Sequence, residues 1–413
     1  MRLPATLGLT WLEAADASTW QWQRPATEAV IVDAPRGGLG FVEPVGAAMV
    51  SAWAAHQAAA GVALAPADNL RTPLGYATGI LSRLAGRVAP LVGQTQVLPV
   101  HVAHSEDDFR AIRDRIEGLA GHDSQTHLAL AQCVEDLARN VFHHARTPHG
   151  AHWAASIDRK SRLVRIGVAD CGRGIADDIR SSFRDSTALD DATAVAMALE
   201  PRVSGSTQPG TNMGVGLHVV RHLALAGHGK FWLLTRRIRA VSSTDEPEAF
   251  APRVQSVAGD WNGTAVAVLL QQDALPEVAD VLKRLHDEIE GRAPHHGSLK
   301  FFRRLGPEDA GRTVLGIAPD TGPMACDRER ALRLGRDEVA GPLATGKVAL
   351  TWEDSKVATQ AFAYALLYHP VQRHGPGALE RLQFIGCSPQ VTTVLRMAAA
   401  VLLADHAMAE APP

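Results

Sequence analysis

An apolar run ending in an acid and then bare backbone constrains this chain more than any other feature. The stretch AHWAASIDRKSRLVRIGVADCGRGI (151–175) reads as two strands joined by a polar turn at DRKS, a hairpin. Asp170 stands at the end of the second strand, and Gly172 and Gly174 follow it. Glycines there allow a tight turn and close approach of backbone to a ligand. A carboxylate would repel phosphate, so the stretch suits a different part of a ligand.

Three further stretches flank it. QTHLALAQCVEDLARNVFHHA (125–145) spaces Leu130, Val134, Leu137 and Val141 along one helical face. Asp136 and Asn140 lie one turn apart, about 40° around that helix, whereas Glu135 points about 100° away from Asp136. A carboxylate one turn before a carboxamide can orient a water on one side and hold a metal-bound phosphate on the other. In isolation the same pattern is a polar edge on an amphipathic helix. In GTNMGVGLHVVRHLALAG (210–227), Gly210, Gly214 and Gly216 precede an apolar-periodic helix that carries Leu217. Free N–H groups at a helix start attract anions. Finally, NGTAVAVLL (262–270) is a Gly-Thr turn, with Thr264, that opens a strand.

The rest of the chain sets limits. At 413 residues and 46% hydrophobic, it can bury two or three cores. A formal net charge of −3 gives no general attraction to nucleic acid or membrane. Cys133, Cys171, Cys326 and Cys387 are scattered without zinc-ligand or redox spacing, which suits a reduced, cytoplasmic compartment. The N-terminus lacks a signal-peptide pattern, and no apolar run reaches the roughly 18 residues of a membrane helix.

Three blocks follow from the rhythm of elements. Residues 1–97 alternate strand (EAVIVDAP), helix (43–61), strand (GVALAP) and helix (74–86), an α/β domain. Residues 98–272 carry the motifs above, and 273–297 form a helical linker. Residues 298–413 alternate strands and helices again.

In this order and at these spacings, DLARN, DCGRGI, GVGL and the final Gly-Thr resemble the N box, G1 box, G2 box and closing Gly-Thr of the GHKL superfamily. That superfamily groups gyrase-type ATPases, heat-shock protein 90, histidine kinases, MutL-type proteins and anti-sigma serine kinases. The resemblance covers about residues 125–270. It implies an α/β (α+β) fold: a Bergerat-type sandwich with a mixed, mostly antiparallel sheet, binding ATP and Mg²⁺. By the resemblance, Asp170 would accept a hydrogen bond from the adenine amino group, with Thr264 assisting and Gly172 and Gly174 close to the base. Asn140 would ligate Mg²⁺ through its carbonyl, suiting a hard cation. The phosphates would lie near Asn140, Gly214 and Gly216, Gly210 and Leu217 would belong to the same nucleotide site, and 176–213 would be the mobile ATP lid. Asp136 stands where many family members carry glutamate as general base; it is one methylene shorter, so slow hydrolysis is expected.

The flanking blocks resemble STAS-like modules, small α/β domains that anti-sigma kinases bind and phosphorylate. The phosphoacceptor serine of such modules would fall near Gln360 or Ala361, where no hydroxyl exists. Two decoys are set aside. GPLATGK (341–347) has Val348 where a Walker A pattern needs Ser or Thr, and it reads as a turn. His143, His144, His149 and His152 lack the spacing of a metal site.

The expectation is an ATP- and Mg²⁺-binding regulator, a nucleotide-gated switch with slow hydrolysis acting on a protein partner of STAS or another regulatory type. No nucleic-acid or membrane partner is expected, and a homodimer is possible. The alternatives are a serine/threonine kinase of anti-sigma type acting on a STAS-type partner, and a catalytically weak scaffold.

Overall fold

A computed structural model describes residues 6–7, 29–32, 41–70, 80, 97–182, 189–201, 214–245, 252–290, 299–304, 312–317, 324–325, 327–353, 355 and 357–410. Gly210 and most of the expected helix at 74–86 lie outside these residues. Contacts gather the chain into two units, Met1–Glu200 with Gly216–Leu275, and Pro201–Val215 with Pro276–Pro413.

The first unit is organised by a five-stranded sheet. In sheet order its strands are Val97–Ala103, Ala151–Asp158, Leu163–Ala169, Arg253–Gln271 and Lys230–Ser243, and each neighbouring pair is antiparallel. The expected hairpin is present: Asp158 pairs with Leu163 across the DRKS turn. Side chains alternate between faces along each strand. Trp153 lies on one face, tilted against Phe109 at 4.7 Å between ring centroids. Phe109 belongs to the helix Glu106–Gly118, which packs against the helix Ser124–Arg139, and that one against the helix Gly216–Ala226.

The other face is apolar and small. Ala154, Ala169, Trp232, Leu234, Ala265 and Ala267 share a core with Val45, Ala48, Met49 and Trp53 of the helix Pro44–Ala59. Gly167 is what lets that helix settle, since a Cβ there would collide with the Pro44–Val45 backbone. Val32, Val42 and Leu70 of the N-terminal block join the same core, so this block does not stand apart from the central sheet but completes it. Short parallel pairs, Ala29–Val32 with Ala63–Pro66 and Thr6–Leu7 with Phe41–Val42, complete the described part of the block.

The second unit holds a four-stranded parallel sheet with spatial order Lys300–Phe302, Leu382–Ile385, Val348–Thr351 and Thr313–Gly316. The helices Gln360–His374 and Pro389–Glu410 pack together, and Val278–Glu290 packs on the latter. The fold class is therefore mixed α/β, with an antiparallel central sheet layered by helices. The GPLATGK stretch is a short helix and turn leading into Val348–Thr351.

Candidate functional site

The helix Ser124–Arg139 starts cleanly because the Asp123 carboxylate accepts from the N–H groups of Gln125 (3.0 Å) and Thr126 (3.1 Å). Its buried stripe carries a polar group, Asp136, 1% exposed. The Asp136 carboxylate accepts from Gln132 Nε2 at 2.8 Å, and its Oδ1 lies 3.4 Å from Arg139 Nη1. Burial raises its pKa above the ordinary carboxylate value; Arg139 and the Gln132 hydrogen bond pull the other way. Glu135, half-buried, faces Arg139 at 4.0 Å and Arg113 at 3.9 Å, and burial still carries it up to about 7. The two acids share Arg139 but differ otherwise: Asp136 accepts from Gln132, and Glu135 faces Arg113.

At Asn140 the expected continuous α-helix changes. Asn140–Ala145 is π-helical, and Arg146 closes it in the left-handed region with φ 50°. A π turn leaves its last carbonyls unpaired within the helix. Arg173 takes two of them: its N–H donates to Ala145 O at 2.9 Å, and its Nε donates to His144 O at 2.8 Å. The first box and the glycine turn are thereby locked together. Asn140 Nδ2 is buried with no hydrogen-bond partner among the described residues.

Close approach explains the glycines. A Cβ on Gly172 would run into the Ala145 carbonyl, and a Cβ on Gly263 into the Asp170 carbonyl and Gly172 N–H. A Cβ on Gly216 would sit 3.3 Å from Asp136 Cβ and 3.4 Å from its Oδ1. Gly174, with φ +79°, abuts Thr235 Oγ1. Gly214, also at positive φ, precedes the helix in which Gly216 and the buried Leu217 lie. The structure therefore brings Asp136, Asp170, Gly172, Gly174, Gly216 and Thr264 into one connected region, with Asn140 starting the turn that meets Gly172.

Asp170 is 2% exposed. Its carboxylate accepts from Gly172 N–H at 2.7 Å, and its own N–H donates to Thr264 O at 2.9 Å. Burial pushes its pKa up to about 7, with the Gly172 and Thr264 backbone hydrogen bonds opposing.

Several residues went unread in the sequence. Thr235 Oγ1 donates to Gly263 O at 2.9 Å and accepts from Ile175 N–H at 3.1 Å, tying the strand end to the glycine turn. Its only signal is its place opposite Thr264 in the sheet. Arg173 and His144 (2.8 Å) both pair with Asp178, and Arg236 pairs with Asp177. These acids lie on the helix Ile175–Ser182, which occupies the start of the expected lid together with a second helix, Asp191–Ala198. Gln132 was within reach, since it stands four residues before Asp136 on the same face.

Residues 125–271 match the family described as Histidine kinase-, DNA gyrase B-, and HSP90-like ATPase. This segment is a GHKL-type ATPase domain, a class that binds ATP. No curated protein matches the chain significantly. Among the described residues, no helix is long and apolar enough to cross a membrane.

Proposed function

We propose that this protein is a nucleotide-gated regulator: its GHKL domain binds Mg²⁺-ATP, hydrolyses it slowly, and alters how the protein meets a protein partner. The observation that carries this reading is the convergence of the four motif segments on one region, with a buried acid at each end. Asp170, buried at the strand end, accepts from the adenine amino group, and Thr264 and Thr235 brace the turn around it. The residues at the other end fit a metal-bound phosphate. Asn140 offers a hard carboxamide oxygen beside an unsatisfied buried amide nitrogen. Bound Mg²⁺ supplies charge neutralisation at the phosphates.

Asp136 is the base that accepts a proton from the attacking water. Its burial raises its basicity towards what proton abstraction needs. Gln132 and Arg139 hold its carboxylate and fix its orientation. The short side chain limits its reach, hence the slow turnover.

The C-terminal unit, read as a STAS-like module, offers no hydroxyl at the position where such modules take phosphate. Gln360 and Ala361 open its helix without a hydroxyl, and the neighbouring Thr359 is buried, its hydroxyl accepting from Phe362 N–H at 3.2 Å. The energy of the switch is the difference in ATP affinity between two states of the protein.

Incubation with γ-labelled ATP and Mg²⁺, alone and with candidate partner proteins, tests the proposal. Slow phosphate release and nucleotide-dependent partner association are expected. A labelled partner protein would replace this reading with a serine/threonine kinase, and calorimetry showing no ATP binding would overturn both.

A further inference from the structure

Away from the nucleotide region, the first unit contains a cavity of about 780 Å³, within the roughly 300–1,000 Å³ of small-molecule sites. Its walls come from the end of the helix Glu106–Gly118, the turn after it, the DRKS hairpin turn and Gln272. Leu98, Leu119 and Ile157 supply apolar surface.

Two features of this lining bear on what it can hold. The first is charge. Arg115, Arg159 and Arg162 converge on the cavity, and only Arg162 is paired among the described residues, with Asp273 at 3.1 Å and Asp123 at 4.0 Å. Asp114, also in the wall, lies 3.6 Å from Arg113 instead. The second is Gln272, which is 4% exposed with its Oε1 lacking any hydrogen-bond partner among the described residues. A buried acceptor left unsatisfied is rare and unfavourable. Its backbone N–H is satisfied by Arg162 O at 3.0 Å, so only the side chain waits for a donor.

We infer that this cavity binds an organic anion of metabolite size, carrying carboxylate or phosphate oxygens and a hydroxyl or amine. Guanidinium forks hold the anionic oxygens through charge-assisted hydrogen bonds. The Gln272 side-chain amide hydrogen-bonds the ligand's hydroxyl or amine, and the apolar wall covers its carbon skeleton. The site is also mechanically placed: Asp123, which caps the helix carrying Asp136, is part of the same wall.

The test uses the full chain at constant ionic strength, with citrate and glycerol 3-phosphate as probes and glycerol as the uncharged control. Calorimetry and amide chemical shifts are the readouts. At least one anion should bind at or below about 10 mM, and glycerol should not. Arg115→Ala with Arg159→Ala should weaken binding by about tenfold or more. Gln272→Leu should weaken it while leaving the thermal midpoint unchanged or higher, because an unsatisfied acceptor has been removed. Gly118→Leu fills the cavity, since a Cβ there meets nothing within 4 Å, and should abolish binding without unfolding the chain. Citrate alone binding would identify a carboxylate ligand, and glycerol 3-phosphate alone a phosphate ester. No binding of either anion, binding that ADP displaces, or binding indifferent to the arginines and to Gly118→Leu would overturn the inference.

Discussion

Helices of opposite character cover the two faces of the central sheet. Every residue of the 44–59 helix from Pro44 through Ala54 is buried, nearly all of them apolar. Helices that are apolar all round belong in a core, and this one shares its core with the sheet and with Val32, Val42 and Leu70. The 124–139 helix buries a comparable stripe but places Gln132, Asp136 and Arg139 within it. Burying ionisable groups opposes folding unless they are paired. One face of the sheet thus stabilises the molecule, and the other gives up stability to hold chemistry. Strained or costly features of this kind gather at functional sites.

The largest expected effect separates the faces by turnover. Asp136→Asn should reduce single-turnover hydrolysis by roughly 10²–10⁴-fold, the share of a positioned base, while nucleotide affinity holds. Glu135→Gln, on the side of the helix that faces Arg113, should change little. If the Glu135 variant is the inactive one, the catalytic carboxylate has been assigned to the wrong side of the helix.

On the apolar face, Met49→Ala should lower stability by about 2–5 kcal/mol in denaturant unfolding, through lost burial and a residual cavity. Its folded fraction should bind ATP with unchanged affinity. A matching loss of affinity would mean that the two faces are not independent.

Asp170→Asn presents an amide NH₂ to the adenine amino group. The lost charge-assisted hydrogen bond should weaken ATP by about 1.5–3 kcal/mol, ten- to a hundredfold by calorimetry. GTP, which offers a carbonyl there, should bind the wild-type protein poorly; equal affinity for both nucleotides would remove Asp170 from the base site.

The smallest effect is in pH. Burial raises Asp170 to about 7, so folding favours its protonated form, and this stabilisation is lost as pH rises through 7. Nucleotide recognition needs the ionised form, so adenosine affinity should rise by about tenfold between pH 6 and 8. Adenosine carries no phosphate that titrates there. The opposite slope would mean that a protonated carboxyl donates to a ring nitrogen. Asp170→Asn should abolish either dependence.

Local chemistry made much of the site legible before any fold was known. A tight turn needs glycine, a helix face repeats every third or fourth residue, and a helix start attracts anions. So the boxes around Asp136, Asn140, Asp170, Gly216 and Thr264 could be read as short stretches. The hairpin at 151–169 followed from strand periodicity and a polar turn for the same reason.

Tertiary structure alone decided the remainder. Thr235 joins the site because strand register sets it opposite Thr264, 29 residues away. Arg173 caps the π turn because sheet and helix bring Ala145 beside it, and Gly172 is bare because that carbonyl arrives there. The N-terminal helix joins the central core because Gly167 and small alanines leave a flat apolar face that only the assembled sheet presents. Each of these depends on contacts between residues far apart in the chain. Sequence periodicity shows which face of an element is apolar; packing determines what that face meets.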